Sequence, residues 1–161
     1  MKIREAILED SDAIWDIFSA VVKTGDTYVF DPETKREDLP KYWFAANMKT
    51  YVAEKDNRII GTYFIKPNQI DLGSHIANCG YMVHKDARGL GTGKQMYAHS
   101  VELAKSLGYK AIQFNFVVST NESAVQLWQK SGFRIIGTIP KGFNHSKLGY
   151  VDAHIMFMEL N

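Results

Sequence analysis

The glycine-rich stretch Arg88-Gly89-Leu90-Gly91-Thr92-Gly93 constrains this chain more than any other segment. It lies between a β-rich segment and a helical pattern that runs from Gly91 to Leu107, which makes it a strand-to-helix turn. The first main-chain N–H groups of a helix have no intrahelical acceptors, and the helix dipole adds positive potential there. Glycine lets an anion approach the main chain because no side chain intervenes. The turn therefore predicts a site for a pyrophosphate, to which Arg88 adds positive charge.

The spacing of the glycines separates this turn from two better-known phosphate loops. A Walker loop needs Gly-Lys followed by Ser or Thr, whereas Lys94 is followed by Gln95. The dinucleotide pattern Gly-x-Gly-x-x-Gly does not match either, because glycine occupies every second position of the stretch. A turn that serves only the geometry of the helix remains an alternative on these residues alone.

The first half of the chain predicts helices followed by a hairpin. Asp10 or Ser11 can cap a helix that keeps apolar residues at helical spacing until Thr24-Gly25. Asp56-Asn57-Arg58 separates two β-rich segments, which predicts an antiparallel hairpin. The expected elements are a strand over Lys2 to Ala6, this first helix, a loop over Asp26 to Pro32, a helix over Thr34 to Asn47, and strands over Thr50 to Glu54 and Ile59 to Lys66.

The second half alternates strands and helices. Gly108 is placed to end the helix that starts at Gly91, and Asn121 and Gly132 bound the next helix. The expected elements are a strand over His75 to Val83, the helix to Leu107, a strand over Ala111 to Val118, a helix over Glu122 to Ser131, a strand over Phe133 to Ile139, a loop, and a strand over Asp152 to Leu160. This order, β-α-α-β-β-β-α-β-α-β-β, predicts an α/β protein with a mixed sheet flanked by helices, and residues 75–118 predict a right-handed parallel crossover.

Length, charge and cysteine content narrow the partners. A chain of 161 residues is the size of one ordinary domain, which we expect to span residues 1–161. A net charge of +1 provides no attraction for nucleic acid or an anionic membrane, and no apolar run approaches the roughly 20 residues that span a bilayer. The single cysteine and the charged N-terminus favour a cytoplasmic setting. The five histidines show no metal-ligand spacing, so no metal site is expected.

Two segments together resemble the GCN5-related N-acetyltransferase family. The pyrophosphate loop of that family, Arg/Gln-x-x-Gly-x-Gly/Ala, is matched at Arg88, Gly91 and Gly93. A second family segment, Asn-x-x-Ala-x-x-Leu-Tyr-x-Lys-x-Gly-Phe, is matched from Asn121 to Phe133 at every specified position except the Tyr, which is Trp128 here. The resemblance implies an acetyl-CoA-dependent N-acetyltransferase with a splayed central mixed sheet and direct transfer of the acetyl group to an amine.

The resemblance also implies which residues hold acetyl-CoA as the co-substrate. The main chain of the strand before the loop would bond the pantetheine arm, backbone amides of the loop would bind the pyrophosphate, and Asn121 would both cap its helix and contact the pantetheine. The implied residues are Tyr81, Met82, Val83, Arg88, Gly89, Leu90, Gly91, Thr92, Gly93, Lys94, Asn121, Ala124 and Trp128.

This sequence lacks two side chains that transfer protons in the family. Trp128 replaces the Tyr that protonates the leaving thiolate, and an indole N–H is too weak an acid for that role. Ala77 stands where histone-type members carry a Glu base. We predict Tyr81, Trp128 and Asn115 at the reaction centre; Tyr97, Tyr150 or water are alternative acids, and the candidate bases or acceptor contacts are Asp31, Glu54, Asn78, His84, Asn115, His145 and Asp152.

The acceptor is predicted from two shorter similarities. The segment from Thr27 to Thr34 is similar to the corresponding loop of phosphinothricin-type acetyltransferases, and Trp128 with Phe114-Asn115-Phe116 is similar to fungal acetyltransferases of proline analogues. The primary or secondary amine of an amino acid or analogue is therefore the preferred small-molecule acceptor, with Phe30, Asp31, Asn78 and Asn115 as substrate-binding residues. A protein N-terminal or lysine acetyltransferase and a non-catalytic CoA-binding sensor are the alternatives. Family members are often homodimers, and residues 141–150 could line a pocket or a dimer contact.

Overall fold

Seven strands form one mixed sheet in the computed structural model, which describes residues 1–161. The order across the sheet is β1-β2-β3-β4-β5-β7-β6, and every neighbouring pair is antiparallel except β4 with β5. The strands are β1 (Lys2–Glu5), β2 (Lys49–Lys55), β3 (Arg58–Pro67), β4 (Ile76–Val83), β5 (Ala111–Val118), β6 (Arg134–His145) and β7 (Gly149–Glu159).

Helices cover both faces of the sheet and divide the core into two clusters. The helices are α1 (Ser11–Val22), α2 (Leu39–Trp43), α3 (Thr92–Ser106) and α4 (Glu122–Lys130). Buried residues of α1 and α2 pack with Val52, Phe64 and Met82 on one face. Residues of α3 and α4 pack with alternate residues of β3, β4 and β5 on the other face. Side chains of successive β4 residues therefore serve different clusters, as the period of a strand requires.

Trp43 anchors the face that α1 and α2 cover. Its side chain is completely buried, and its ring lies edge-on to Phe64 with the centroids 4.9 Å apart. Its indole Nε1 donates to Thr62 Oγ1 at 2.9 Å, and that hydroxyl in turn donates to the carbonyl of Tyr51 at 2.9 Å. A buried polar atom needs such a partner, so this chain of hydrogen bonds fixes α2 against β2 and β3.

The element order agrees with the sequence prediction, and the mixed sheet is confirmed. The predicted helix over Thr34 to Asn47 was wrong in length, because only a 3-10 turn at Arg36–Asp38 and the short α2 form there. Pro40 lies in the first turn of α2, and Phe44 leaves the helical region at φ −137°. Only Leu39 and Trp43, which are four residues apart, are buried, so packing supports about one turn of helix.

The predicted loop between Ile139 and Asp152 was also wrong, since β6 and β7 continue into it as a long hairpin. The pairing shifts register between Ile139 and Phe143, and Lys141 takes a left-handed φ of 52° in that irregularity. Pro140 is tolerated because β6 is an edge strand and its missing N–H costs no ladder bond. The hairpin tip reaches the α1–α2 loop, where Ser146 N donates to the Gly25 carbonyl at 2.9 Å.

The strands β4 and β5 part soon after they meet. Their parallel pairing consists of Ile76 with Ala111 and Ala77 with Ile112. Beyond that point, the Asn78 side-chain Nδ2 donates to the Gln113 carbonyl at 2.9 Å, where a main-chain partner would otherwise lie. The fork opens toward the carboxyl ends of both strands, where α3 and α4 begin.

No helix combines the length and the hydropathy that crossing a bilayer would require.

The hydrogen bond between Trp43 and Thr62 generates a stability prediction. Thr62→Val keeps the side-chain shape and removes the acceptor of a buried indole N–H, so we expect the free energy of unfolding to fall by about 1–3 kcal/mol. Urea unfolding followed by Trp fluorescence measures it. Thr138→Val is the control, because that hydroxyl bonds His154 at an exposed position and its loss should change stability by less than about 0.5 kcal/mol. Equal effects of the two substitutions would contradict the anchoring role of Trp43.

Candidate active site

A cleft of about 210 Å³ lies in the fork between β4 and β5. Its lining comes from the α1–α2 loop, from β3, β4 and β5, and from the start and middle of α4, and it contains no Asp, Glu, Lys, Arg or His. The lining residues are Thr27, Tyr28, Val29, Phe64, Asn78, Cys79, Gly80, Tyr81, Phe114, Asn115, Phe116, Val117, Val118, Asn121, Ala124 and Trp128. The cleft is therefore apolar and uncharged, with a few amide and hydroxyl groups.

The main chain of β4 is exposed to this cleft at alternate residues. Tyr81 N donates to the Tyr28 hydroxyl at 2.9 Å, and that hydroxyl donates to the Tyr81 carbonyl at 2.8 Å. Successive residues of a strand direct their main-chain groups to opposite edges, so those of Val83 also point into the fork. The main chain of Met82 points to β3, where Met82 is opposite Thr62, and its side chain is buried. Of the three predicted pantetheine contacts on this strand, Tyr81 and Val83 direct main-chain groups into the fork, and those of Tyr81 are bonded to the Tyr28 hydroxyl.

The glycine-rich turn presents a row of free donors. Gly89 and Gly91 both take φ +76°, and a Cβ on either would meet no atom within 4 Å. The helix α3 starts at Thr92, with Gly91 as its N-cap. The six successive N–H groups from Gly89 to Lys94 have no main-chain acceptor. Such an arrangement suits an anion, since unpaired N–H groups at the start of a helix lie at the positive end of its dipole.

The side chains of the turn add positive charge. Arg88 and Lys94 are exposed, and neither belongs to an ion pair of the structure. Leu90 is 59% exposed, whereas Thr92 is buried and its hydroxyl points back to the Ala87 carbonyl at 3.5 Å. The main chain and the two cations, rather than the Thr92 hydroxyl, are thus available to a pyrophosphate.

Asn121 reconciles the two roles predicted for it. Its side-chain Oδ1 accepts from Ala124 N at 3.3 Å and caps α4. Ser123 Oγ donates to the same oxygen at 3.1 Å. The amide Nδ2 makes no bond within the protein, and Asn121 lines the cleft next to Ala124. The oxygen therefore stabilises the helix while the nitrogen remains free to donate to a ligand.

Trp128 closes the α4 side of the cleft. Its ring packs against Phe114 with centroids 4.8 Å apart and against Tyr81 at 5.3 Å. The indole N–H has no partner within the protein, while every buried side-chain nitrogen and oxygen has one, so Nε1 is not fully buried, and Trp128 lines the cleft. It can donate a hydrogen bond there but not a proton.

The tyrosines considered as acids are engaged elsewhere. The Tyr81 hydroxyl lies 2.6 Å from Ser100 Oγ in the core, and burial raises the pKa of Tyr81 well above its usual value. The Tyr97 hydroxyl donates to the Ser131 carbonyl at 3.1 Å, and Tyr150 is 70% exposed on the β6–β7 hairpin. None of these phenols offers its proton to the cleft in this conformation.

The ionisable residues considered as bases also bond elsewhere. Glu54 pairs with Arg4 at 3.0 Å, and Arg58 contacts both His84 and Asp86. The other candidates accept from nearby main-chain groups: Asp31 from Glu33 N, His145 from Lys147 N and Asp152 from Lys141 N. No three His, Cys, Asp or Glu residues are grouped as a metal site. The cleft itself contains only three titratable groups, Tyr28, Cys79 and Tyr81.

The predicted acceptor residues divide into two pairs. Asn78 and Asn115 line the cleft, and Asn115 Nδ2 donates to Asn68 Oδ1 at 2.6 Å. Phe30 instead packs between Phe18 and Tyr42, and Asp31 is exposed. The sequence similarity located the loop but not its inward-facing residues, which are Thr27, Tyr28 and Val29. An irregular loop has no side-chain period from which those could be read.

Cys79 is the one nucleophilic side chain of the cleft. It is 7% exposed, and burial raises the pKa of its thiol to about 12. The thiolate is the nucleophilic form, so Cys79 is unreactive near neutral pH. This agrees with its interpretation as a small buried residue and leaves the cleft without a nucleophile of its own.

Comparison with known proteins relates most of this chain to one family. The Acetyltransferase (GNAT) family matches residues 12–133. A GCN5-related N-acetyltransferase from Kribbella flavida superposes with a TM-score of 0.93 at 38% identity, covering 99% of this chain and 97% of that one.

Two more distant relatives show the same pattern. N-acetyltransferase aca1 of Schizosaccharomyces pombe is 28% identical over 151 residues, which are 83% of this chain and 72% of the relative. A phosphinothricin acetyltransferase from Sinorhizobium meliloti, solved in complex with acetyl-CoA, shares the fold with a TM-score of 0.88 at 18% identity, covering 99% and 88% of the two chains.

The pKa of Cys79 generates a reactivity prediction. At pH 8 a thiol with a pKa of about 12 is ionised in only about one molecule in ten thousand. We expect native protein to resist iodoacetamide for hours, and protein in denaturing urea to be alkylated within minutes, as followed by intact-mass spectrometry. Alkylation of the native protein at the rate of an exposed cysteine would show that the β4 side of the cleft is open and the thiol activated.

Proposed function

Because the chain belongs to the Acetyltransferase (GNAT) family, we propose that it transfers the acetyl group of acetyl-CoA directly to the primary or secondary amine of a small molecule, with an amino acid or close analogue as the acceptor. The fork between β4 and β5 carries this proposal, because it joins an open strand edge to the free N–H groups at the start of α3. One end of this region suits a pyrophosphate, and the other suits a thioester and an amine.

The residues present fit acetyl-CoA along this path. The N–H groups from Gly89 to Lys94, with Arg88 and Lys94, would take the pyrophosphate. The main chain of Tyr81 and Val83 would bond the amides of the pantetheine arm, and Asn121 Nδ2 would donate to the same arm. Two relatives that share the fold were solved with acetyl-CoA, from Sinorhizobium meliloti and Salmonella typhimurium.

The uncharged cleft supplies part of the acid–base chemistry. An amine attacks a thioester only as the free base, and an amine in water is mostly protonated at neutral pH. Transfer into a cleft without carboxylates disfavours the ammonium form and lowers the pKa of the bound amine. The acceptor can therefore lose its proton to solvent on entry, without a dedicated base.

The transfer itself would use N–H groups that line the cleft. The N–H of Tyr81 would polarise the thioester carbonyl, the amine nitrogen would form the new bond to the carbonyl carbon, and the carbon–sulfur bond would break. The Trp128 N–H would donate a hydrogen bond to the leaving thiolate, and water would carry the amine proton to sulfur. Since Cys79 stays protonated, no acetyl-cysteine forms and the transfer is direct.

Lys66 supports an acceptor that carries a carboxylate. It is opposite Asn78 in the β3–β4 register, and both side chains share the face of Phe64. Its Nζ lies 5.7 Å from the centroid of the Phe64 ring, which lines the cleft, and it forms no ion pair. An amino acid with its amine beside Tyr81 would bring its carboxylate toward this free ammonium, an interaction that is strong where water is excluded.

The contact between the β6–β7 hairpin and the α1–α2 loop favours a small acceptor over a protein. Ser146, at the tip of the β6–β7 hairpin, donates through N to the Gly25 carbonyl at 2.9 Å and through Oγ to the Thr24 carbonyl at 2.8 Å. These bonds join the hairpin to the α1–α2 loop, whose residues Thr27, Tyr28 and Val29 line the cleft. A peptide substrate needs an open groove there, so a protein acetyltransferase is the second candidate.

A homodimer and a cytoplasmic setting remain part of the proposal. The edge strand β6 exposes Ile135, Ile136 and Ile139, and a second copy that covered them would remove apolar surface from water. Analytical ultracentrifugation of the purified protein measures the oligomeric state.

Acceptor-dependent release of thiol from acetyl-CoA tests the proposed function and the role of Lys66 together. We expect turnover with amino acids, and Lys66→Met should raise their KM about tenfold while leaving amines without a carboxylate nearly unchanged. Lys41→Met is the matched control, since Lys41 also lies over an aromatic ring, 4.9 Å from the centroid of Tyr42, but that ring does not line the cleft. Measurable CoA binding without turnover on any amine would leave the non-catalytic sensor as the function.

The glycine-rich turn generates a binding prediction with an internal control. Gly91→Leu should weaken acetyl-CoA binding at least tenfold in isothermal titration, because a side chain would block the approach of the pyrophosphate. Gly108→Leu has a similar strain, since Gly108 takes φ +83° with no neighbour within 4 Å, but lies at the far end of α3. Unchanged affinity in a folded Gly91 variant would refute the position of the pyrophosphate.

A further inference from the structure

The Tyr28 hydroxyl occupies a place that the proposed function needs for a ligand. One phenol oxygen accepts from the Tyr81 N–H and donates to the Tyr81 carbonyl, with both partners within 2.9 Å. These are the main-chain groups that the fork leaves without a strand partner. A thioester carbonyl cannot accept from the same N–H while the phenol is there, since the two oxygens would overlap.

Tyr28 is held there by an aromatic cluster on the acceptor side of the sheet. Its ring stacks on Phe30 with centroids 5.8 Å apart and meets Trp43 edge-on at 6.2 Å. Burial raises the pKa of its hydroxyl, so it stays a neutral phenol that can both donate and accept. A neutral phenol matches a peptide unit in this respect, and it satisfies both main-chain groups that would otherwise be buried without partners.

We propose that the Tyr28 hydroxyl holds the acyl position in the free protein, and that the carbonyl of the acetyl group replaces it on the Tyr81 N–H. This inference rests on the proposed function, which places the thioester on β4. In this exchange the acetyl carbonyl replaces the phenol as the acceptor of the Tyr81 N–H, and no covalent bond breaks. Tyr28 is thereby a residue of the reaction centre, because its hydroxyl occupies the position that the acetyl carbonyl takes in the complex.

The exchange makes the α1–α2 loop sensitive to the acetyl group rather than to CoA as a whole. Free CoA ends at its thiol and has no acetyl carbonyl, and a thiol is a poor acceptor for an N–H. The phenol can keep its place when CoA is bound, but must leave the N–H when acetyl-CoA is bound. Thr27 and Val29, on either side of Tyr28, also line the cleft. Since the phenol leaves the Tyr81 N–H only when the acetyl group is present, we expect this loop to change position when the acetyl group has been transferred.

Tyr28→Phe tests this exchange through a ratio of two affinities. Isothermal titration gives the Kd of acetyl-CoA and of CoA for wild-type and variant protein. Without the phenol, the carbonyl gains the Tyr81 N–H with no competitor, so we expect the preference for acetyl-CoA over CoA to rise about five- to tenfold. Tyr42→Phe should leave the ratio unchanged, because Tyr42 belongs to the same aromatic cluster but forms no bond with β4.

Two outcomes separate this inference from the function on which it rests. An unchanged ratio in a variant that binds both ligands overturns the role of Tyr28 and leaves the acetyltransferase proposal intact. Absence of binding by wild-type protein overturns both. If the Tyr28 variant fails to fold, a measurement on wild-type protein tests the exchange instead. The NMR contact between the Tyr28 ring and the Tyr81 amide should persist with CoA and disappear with acetyl-CoA. Its persistence with both ligands overturns the exchange.

Discussion

The parting of β4 from β5 is the constraint on which the rest of this structure depends. Two parallel strands that stay paired satisfy each other's main chain, but these pair only at Ile76 with Ala111 and at Ala77 with Ile112. The Asn78 amide takes over from the ladder at the apex by donating to the Gln113 carbonyl. Every main-chain group beyond that point needs a partner from outside the sheet, because an unpaired buried N–H or C=O is costly.

The elements around the fork can be understood as the sources of those partners. The α1–α2 loop supplies the Tyr28 hydroxyl to Tyr81. The α4 helix supplies the Trp128 ring as an apolar wall, and its N-cap Asn121 leaves one amide group free. The α3 helix begins beside the open end of β4 with six N–H groups that only a ligand or solvent can satisfy. The site is therefore a set of main-chain groups without a partner in the sheet or helix, surrounded mostly by apolar side chains.

The same enclosure explains how an acetyltransferase can lack the usual acid and base. Ala77 and Trp128 carry no transferable proton, the cleft lining contains no Asp, Glu, Lys, Arg or His, and the carboxylates considered as bases bond to other groups. An uncharged cleft still favours a neutral amine, and a polarised carbonyl needs only a well-placed N–H. Catalysis would then depend on desolvation of the amine and on main-chain N–H groups rather than on proton-transfer side chains.

The features that the sequence determined by itself are those that depend on neighbours along the chain. The glycine turn could be read from its spacing because left-handed φ values and free helix N–H groups are local properties. The cap at Asn121 and the order of strands and helices follow from local patterns in the same way. The length of α2 and the extent of the β6–β7 hairpin do not follow from local patterns, because packing on α1 and pairing with β7 overrode local propensity there.

The contacts that complete the site join residues far apart in the chain. Tyr28 and Tyr81 are 53 positions apart, and Ser146 lies 122 positions from Thr24. Only the tertiary structure could bring these pairs together, because no periodicity in a chain specifies which irregular loop will satisfy an open strand edge.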